Sequence, residues 1–167
     1  KCKGLNIPNR NALGLHDLGN VLGTEEVKHP HSYVQTRREA SNGKDTLTGH
    51  WERMGIKTEN PLVTFTETGF PKELIDELEK RTGRKVIGNY SSSGTEILKV
   101  LGEQQRKEGS LIVYTSADSV LQIAAHTDTV PLEELYRDCE IAREITRKKE
   151  WRVGRIIARP FIGPDKD

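Results

Sequence analysis

From Pro61 to the end of the chain, apolar residues recur with alternating helix and strand periods, which constrains the fold more than any other feature. The segment "FPKELIDELEKRTG" predicts a helix that starts at Pro71 and ends before Gly83, because proline suits a first helical turn and glycine suits a helix end. Its buried face would contain Leu74, Ile75 and Leu78. The stretch "PLVTFTETG" before this helix predicts an extended segment, and "KVIGN" after it predicts a short strand.

The same alternation continues through the last part of the chain. The segment "SSSGTEILKVLGEQQRKEG" opens with the spacing of a capping box, from Ser93 to Glu96, and predicts a second helix. We interpret "SLIVYTSADSV" as a buried strand with a hydroxyl-rich end and "WRVGRIIARPFIG" as a closing strand. Between them, "PLEELYRDCEIAREITRKK" predicts a third helix that starts at Pro131 and buries four side chains: Leu132, Leu135, Tyr136 and Cys139.

Strands interleaved with helices predict an α/β unit, with a small mixed sheet and about three helices, from about residue 61 onward. Residues 1–60 contain much Gly, Asn, His and Thr with little periodicity, and we interpret them as part of a second, incomplete unit. We therefore expect two domains, 1–60 and 61–167.

Charge and cysteine content narrow the classes of partner. The 26 Lys and Arg residues against 25 Asp and Glu residues argue against nucleic acid or an anionic membrane as a partner. No apolar run approaches the roughly 20 residues of a membrane-spanning helix. Cys2 and Cys139 are far apart and lack metal-type spacing, which favours a reducing compartment, so we expect a cytoplasmic location.

A threonine follows an aspartate in "SNGKDTLTGHWERMG", between Ser41 and Gly55. Thr46 has two interpretations. In the first, it belongs to a turn and helix start, where hydroxyl and carboxylate groups accept hydrogen bonds from free backbone N–H groups. Alternatively it is a nucleophile, which requires a metal or a base to remove its proton. The glycines around it do not match a phosphate-binding loop.

Two late segments place polar side chains at alternate positions. If the backbone stays extended, Ser116, Asp118 and Val120 share one face, and so do Arg155, Ile157 and Arg159. A hydroxyl, a carboxylate and a guanidinium together would suit a phosphorylated polyol. The alternative is that these are ordinary loop residues and solvated arginines.

The histidines do not indicate a metal site. His29 and His31 in "KHPHS" flank a proline with no further ligands nearby, which favours a surface turn. His50 would either orient Thr46 or pack locally. His126, in an apolar run, is interpreted as a hydrogen-bonded core or edge residue.

Several longer motifs carry a family resemblance. "GKDTLTGHWE", "GFPKELI", "SGTEIL", "LIVYTSADSVLQIAAH", "PLEELY" and "VGRIIARPFIG" occur here in one order. With them the chain resembles the prokaryotic phosphopentomutase family, within the alkaline phosphatase superfamily of metalloenzymes. The resemblance extends over nearly all 167 residues and is weaker before Gly43.

The resemblance implies a layout for both parts of the chain. Residues 1–60 would belong to a metalloenzyme core and residues 61–167 to a cap that covers the substrate, so the chain would be a fragment. Thr46 would be both the phosphoryl-carrying nucleophile and a metal contact, and two divalent ions, usually Mn²⁺, would activate it with ligands outside this chain. The substrate contacts of the cap would be Ser116, Asp118, Val120, Arg155 and Ile157.

The implied activity is an isomerisation between ribose 1-phosphate and ribose 5-phosphate, and their 2-deoxy forms, through a phosphothreonine. A sugar bisphosphate would be the activator, and the missing core segments would be the structural partner. The cap would exclude water, which would otherwise hydrolyse the intermediate. Two alternatives stay open: another phosphomutase or phosphatase of the same superfamily, and a non-catalytic sugar-phosphate-binding module.

Overall fold

A computed structural model describes residues 6–19 and 32–163. By their contacts the residues divide into two compact units, between Glu39 and Ala40. The first unit contains a short helix, α1 (Pro8–Ala12), and a 3₁₀ turn at Leu15–Leu18. The domain boundary expected at residue 60 concerns a longer polypeptide and stays a prediction.

The second unit is an α/β fold with one mixed sheet of four strands in the order β1-β2-β3-β4. The outer pairs of strands are parallel, and the central pair, β2 and β3, is antiparallel. This confirms the α/β class and the small mixed sheet predicted from the sequence. The elements are α2 (Thr46–Arg53), α3 (Lys72–Thr82), β1 (Val86–Ser91), α4 (Gly94–Glu108), β2 (Leu111–Thr115), β3 (Val120–His126), α5 (Leu132–Ile145), a 3₁₀ turn (Lys149–Trp151) and β4 (Arg155–Phe161).

Helices α3 and α4 begin and end where local signals predict. Pro71 precedes α3, and Gly83 ends it with φ of 73°. Ser93 caps α4, because its Oγ accepts a 3.2 Å hydrogen bond from the Glu96 N–H. These residues supply the conformations and acceptors that helix ends require.

Helices cover both faces of the sheet. On one face, α3 and α5 pack against alternate strand residues such as Val113, Leu121 and Ile123. On the other face, Ile97 of α4 packs against Ile112, Tyr114 and Ala124. The alternation of strand side chains therefore serves two hydrophobic clusters, one on each side.

The segment "SLIVYTSADSV" contains the predicted buried strand, β2, followed by a turn. Strand β2 ends at Thr115, residues 116–119 reverse the chain, and β3 begins at Val120. Thr115 Oγ donates a 2.8 Å hydrogen bond to the Val120 carbonyl and closes the turn. The expectation that Ser116, Asp118 and Val120 share one strand face is therefore wrong.

Helix α5 turns a different face to the sheet from the one predicted. Leu135 is buried as expected and Cys139 is partly buried against the core, but Leu132 and Tyr136 are 41% and 50% exposed. The buried positions are Leu135, Asp138, Ala142 and Ile145, whose spacing of three, four and three residues marks one stripe of a helix. A carboxylate in this stripe breaks the apolar pattern from which the face was predicted.

The extended segment predicted at "PLVTFTETG" contributes no strand to the sheet. Its Val63 N–H donates a 3.0 Å hydrogen bond to the Arg152 carbonyl, and residues 66–68 form a turn. Within residues 6–19 and 32–163, no helix has the length and apolar character needed to cross a membrane.

Strand β1 contains one extra residue, Asn89, which has φ of 64°. The Asn89 amide holds Phe70 from both sides: its Oδ1 accepts from the Phe70 N–H at 2.7 Å, and its Nδ2 donates to the Phe70 carbonyl at 3.0 Å. Gly69 lies so close that an added Cβ would be 2.2 Å from the Asn89 carbonyl oxygen. The bulge therefore fixes the loop that leads into α3.

Candidate functional site

Asp45, not Thr46, caps helix α2. Its Oδ1 accepts hydrogen bonds from the N–H groups of Leu47 and Thr48, at 2.7 and 3.3 Å. Thr46 is the first residue of the helix and is exposed. Its hydroxyl is therefore not used to start the helix and is available for another contact.

The Thr46 hydroxyl donates a 2.7 Å hydrogen bond to Asp118 Oδ1, in the turn between β2 and β3. The Thr46 backbone N–H donates to the same oxygen at 3.2 Å. Arg155 Nη2 donates to the other oxygen, Asp118 Oδ2, at 2.9 Å. One carboxylate thus connects the start of α2 with the start of β4.

These contacts determine the charge state of Asp118. The Thr46 hydroxyl, followed by the Thr46 N–H and Arg155, lowers the pKa of the Asp118 carboxyl below its ordinary value. Asp118 is therefore a carboxylate at neutral pH. A carboxylate with a lowered pKa is a good hydrogen-bond acceptor but a weak base, so it orients the Thr46 hydroxyl better than it deprotonates it.

Arg155 has donor capacity beyond its ion pair with Asp118. Within the part of the chain that the structure describes, its Nε is buried and has no hydrogen-bond partner. A buried N–H group without a partner is unfavourable, so an acceptor at this position would be stabilising. The Arg155 side chain as a whole is 38% exposed, so a ligand oxygen would approach the exposed part of the guanidinium rather than the buried Nε.

The other predicted contacts lie around this group. Val120 is buried and pairs with Arg155 across β3 and β4, and Ile157 lies two residues farther along the same face. Ser116, at the start of the turn, accepts a 3.5 Å hydrogen bond from the Asp118 N–H. In the structure, Asp118 thus contacts both Thr46 and Arg155. Val120, Ile157 and Ser116 lie beside these residues in sequence or register.

A hydroxyl-rich cleft of about 350 Å³ adjoins the turn that contains Asp118. Its lining residues, which include three threonines, are Lys44, Thr64, Thr66, Glu67, Thr68 and Ala117. Thr66 Oγ also donates a 2.8 Å hydrogen bond to the Ser116 carbonyl. Hydroxyl groups, one cation and one carboxylate make this cleft suitable for a small polar ligand.

The histidines contribute little to the site. His126 is buried at the end of β3, where its Nδ1 accepts from the Asp128 N–H at 3.1 Å, which confirms the expected hydrogen-bonded core histidine. His50 is exposed, and the Thr46 hydroxyl hydrogen bonds to Asp118 rather than to it. His29 and His31 lie outside the described residues.

The residues present do not form a paired-metal site by themselves. Within residues 6–19 and 32–163, no group of three or more His, Cys, Asp or Glu side chains could hold a metal ion. Asp118, the carboxylate in contact with Thr46, already pairs with Arg155. Thr46 supplies one hydroxyl oxygen, whereas hard divalent cations take six or more oxygen ligands.

Sequence reasoning missed two residues that support this geometry, Asp45 and Ser119. The Asp45 Oδ2 atom accepts a 3.2 Å hydrogen bond from the Ser119 N–H. An aspartate before a helix is a recognised capping signal, but one cap needs only one oxygen. The contact to residue 119 depends on the turn, which the strand interpretation had excluded.

Comparison with known proteins identifies close relatives. The chain is 62% identical to the phosphopentomutase of Clostridium beijerinckii over 160 residues, which is 96% of this chain and 40% of that protein. It is 58% identical to the phosphopentomutase of Clostridium tetani over 166 residues, 98% of this chain and 42% of that protein. It is 60% identical to the phosphopentomutase of Agathobacter rectalis over 162 residues, 97% of this chain and 41% of that protein.

No protein-family profile matches the chain. The chain spans 40 to 42% of the length of these curated relatives. Along nearly all of its own length, the chain is therefore similar to part of these phosphopentomutases, which confirms the resemblance predicted from its motifs.

Proposed function

We propose that this chain is part of a phosphopentomutase, an enzyme that interconverts ribose 1-phosphate and ribose 5-phosphate and their 2-deoxy forms. The observation that carries the proposal is the 2.7 Å hydrogen bond from the Thr46 hydroxyl to Asp118, whose other oxygen pairs with Arg155. A hydroxyl nucleophile, a carboxylate and a guanidinium within hydrogen-bond distance form a suitable set for a phosphorylated sugar. The names of the relatives support the same activity.

Each residue has a distinct part in this proposal. Thr46 Oγ forms a bond to phosphorus as the bond from phosphorus to the sugar oxygen breaks, and that oxygen leaves as a hydroxyl with the proton that Thr46 gives up. The reverse transfer, to the hydroxyl at the other end of the sugar, frees Thr46 again. Arg155 binds phosphate oxygens, and Asp118 accepts hydrogen bonds from sugar hydroxyls. Ile157 forms the apolar side of the substrate site and Ser116 the polar side, and the buried Val120 supports Arg155 from the neighbouring strand. The partly exposed guanidinium of Arg155 and the neighbouring hydroxyl-rich cleft support a ligand with several oxygens.

The contact between Thr46 and Asp118 also suggests how the site changes during turnover. A phosphoryl group on Thr46 Oγ would bring negative charge next to the Asp118 carboxylate, and like charges at this distance repel. Asp118 would then leave Thr46 and turn toward the sugar. The Thr46 N–H and Arg155 would become available to phosphate oxygens, which are stronger acceptors in the same positions.

The proposal includes two divalent cations, expected to be Mn²⁺, whose other ligands lie outside this chain. It also includes a sugar bisphosphate as activator, a cytoplasmic location and the remaining core segments of the polypeptide. Because one hydroxyl oxygen cannot hold two hard cations, we expect the chain alone to be inactive and to bind manganese only weakly. Stoichiometric tight binding of manganese to the chain, measured by calorimetry, would contradict this expectation.

The experiment joins this chain to the remaining segments of a curated relative and maps phosphorylation by mass spectrometry. After incubation with manganese and a pentose or hexose bisphosphate, we expect phosphate on Thr46. Thr46→Ala should abolish both the label and turnover, and Thr46→Ser should keep part of each, because serine retains the hydroxyl.

A matched control is Thr95→Ala, since Thr95 is also exposed and also lies at the start of a helix, α4. It should leave labelling and turnover unchanged. Phosphate on another residue, or full activity in a folded Thr46→Ala protein, would overturn the proposal.

A further inference from the structure

Asp45 uses its two carboxylate oxygens for two different elements. Oδ1 caps α2 through Leu47 and Thr48, whereas Oδ2 accepts from the Ser119 N–H at 3.2 Å. Asp45 is only 5% exposed. A buried carboxylate is unfavourable unless its oxygens are hydrogen bonded, so both contacts contribute to keeping it in place.

Ser119 is itself the centre of a small hydrogen-bond network and is 1% exposed. Its Oγ donates to the Val63 carbonyl and accepts from the Gly154 N–H at 3.0 Å. Its carbonyl accepts from the Arg155 N–H at 3.1 Å. The backbone of Arg155 is therefore held by the same residue that binds Asp45.

The contacts between α2 and the turn run in both directions. Asp45 accepts from the backbone of Ser119, and Asp118 accepts from the backbone of Thr46. A single hydrogen bond would allow one element to rotate about the other. Two bonds in opposite directions, between adjacent residues on each side, hold the distance and restrict the rotation.

Packing around Gly154 agrees with this arrangement. A Cβ at Gly154 would lie 3.0 Å from Leu47 Cδ1 and 3.0 Å from the Ser119 carbonyl oxygen. It would also lie 2.7 Å from Leu62 Cδ1, so a side chain at residue 154 would require these neighbours to shift. Helix α2, the turn and the start of β4 are therefore closely packed at this point.

We propose that Asp45 is a positioning residue that sets Thr46 against Asp118 and Arg155. A simple N-cap needs one acceptor, as Ser93 illustrates at α4. The second oxygen of Asp45 is required only for the turn. The consequence for catalysis rests on the proposed function, whereas the link between α2 and the turn does not.

The test is Asp45→Asn, because asparagine keeps one oxygen to cap α2 but presents an NH₂ group in place of the second acceptor. Amide hydrogen exchange in the unaltered 167-residue chain and in the variant is the first readout. Exchange of the Ser119 amide should become roughly tenfold to a hundredfold faster. The Leu47 and Thr48 amides should change by no more than about threefold, since asparagine caps as well as aspartate.

Ser93→Ala is the matched control, since it removes a cap that has no link to the site. It should speed exchange at the start of α4 and leave the Ser119 amide unchanged. Unchanged exchange at Ser119 in Asp45→Asn would overturn the proposal, and so would equal acceleration at Leu47, Thr48 and Ser119. If the variant does not fold, a scalar coupling across the hydrogen bond, from the Ser119 nitrogen to the Asp45 carboxyl carbon, tests the link in the unaltered chain.

The second readout is the activity of the restored enzyme. Asp45→Asn should lower kcat by roughly tenfold or more with KM within about twofold, because misplacing the nucleophile affects the transition state more than substrate binding. Ser93→Ala should leave both constants unchanged. If Thr46 is not phosphorylated in the unaltered enzyme, the proposed function fails while the exchange result still stands. If Asp45→Asn loses the Ser119 contact but keeps an unchanged kcat, only the positioning role is overturned.

Discussion

At Arg155, the effect of the shape of the side chain can be tested separately from the effect of its charge. Its Nη2 contacts Asp118 while its Nε has no partner among the described residues. A guanidinium presents these groups as a planar fork, whereas an ammonium is a point charge. The two kinds of cation should therefore differ in how well they bind phosphate oxygens.

In the restored enzyme, Arg155→Ala should lower kcat/KM by roughly tenfold to a hundredfold, as expected for losing hydrogen bonds to a charged group. Arg155→Lys should lose less, because lysine keeps the charge but not the fork. The measurement is steady-state kinetics with both ribose phosphates. Arg159→Lys, on the same face of β4 and bonded to Gln122, is the control and should have little effect. Equal kinetics in all three variants would contradict the role of Arg155.

At the scale of single elements, helix α5 contains an unusual buried group. Asp138 is fully buried, and neither of its oxygens has a hydrogen-bond partner in the described part of the chain. Burial, with a further contribution from Glu134 on the same helix, raises the pKa of the Asp138 carboxyl to about 6. Arg84 and Arg137 act in the opposite direction but do not cancel it.

Asp138 should make the chain less stable as the pH rises. Because folding raises the pKa, the folded chain binds this proton more tightly than the unfolded chain. The stabilisation that comes from this tighter proton binding is fully present below the ordinary Asp pKa of 3.8. It is lost as the pH rises through the folded-state pKa of about 6. At pH 7.5 or so, Asp138→Asn should raise the free energy of unfolding by about 1–3 kcal/mol, and near pH 4 the difference should vanish.

Urea unfolding of both proteins across this pH range checks the prediction. Glu140→Gln changes an exposed carboxylate on the same helix and should show no such pH-dependent gain. A constant difference between Asp138→Asn and the unaltered chain would show that burial of the charge is not the cause.

The loop before α3 is another element with a specific requirement. Gly69 and Gly83 both have positive φ, of 69° and 73°, but only Gly69 lies against the Asn89 backbone. Gly83→Ala should therefore cost about 1 kcal/mol for backbone strain alone. Gly69→Ala should cost roughly 2–4 kcal/mol, because the β1 bulge must also shift. Chemical denaturation measures both, and equal losses would contradict the close approach.

Several elements follow directly from local sequence signals, and others depend on contacts that no local pattern contains. Pro71, Gly83 and Ser93 act on their own neighbours, so α3 and the start of α4 are predictable. The turn at residues 116–119 interrupts a run that is apolar on both sides, since β2 and β3 are both fully buried. Periodicity cannot distinguish one buried strand from two when every position is buried.

The candidate site also combines features that the sequence predicts with features that depend on tertiary contacts. Thr46, Asp118 and Arg155 were selected as residues with suitable chemistry, and their side chains do meet. The geometry that joins them was not predictable, because it depends on the turn and on the second oxygen of Asp45. Residue types indicated the chemistry, whereas the tertiary contacts determine the arrangement.

At the scale of the whole molecule, the contact boundary between Glu39 and Ala40 assigns α2 to the same unit as the sheet. Hydrogen bonds connect the residues before α2 with the helix and with the residues after it. The Ala40 and Ser41 N–H groups both donate to the Glu52 carboxylate at 2.7 Å, and the Asn42 N–H donates to the Thr58 carbonyl at 2.9 Å. These contacts would hold residues 40–60 in place even without further core segments.

We therefore expect amide protection to begin near residue 40 rather than near residue 60. Helix α2 is largely exposed, so its amides should exchange faster than those of β2 and β3, yet roughly a hundredfold slower than in an unfolded chain. Hydrogen exchange with residue-level resolution checks this. Unprotected amides throughout residues 40–60 would instead support a boundary at residue 60.

The bulge in β1 has a consequence for how relatives of this chain should be aligned. Val86 to Gly88 pair with Leu111 to Val113, and after Asn89 the pairing resumes with Tyr90 opposite Tyr114. A relative that lacks one residue here would have a regular strand with the same ends, so a one-residue gap at this position changes no other strand pairing. Such a relative would also lack the Asn89 backbone that lies against residue 69, so that only the positive φ at position 69 would still favour glycine. Deletion at position 89 and replacement of Gly69 should therefore occur together.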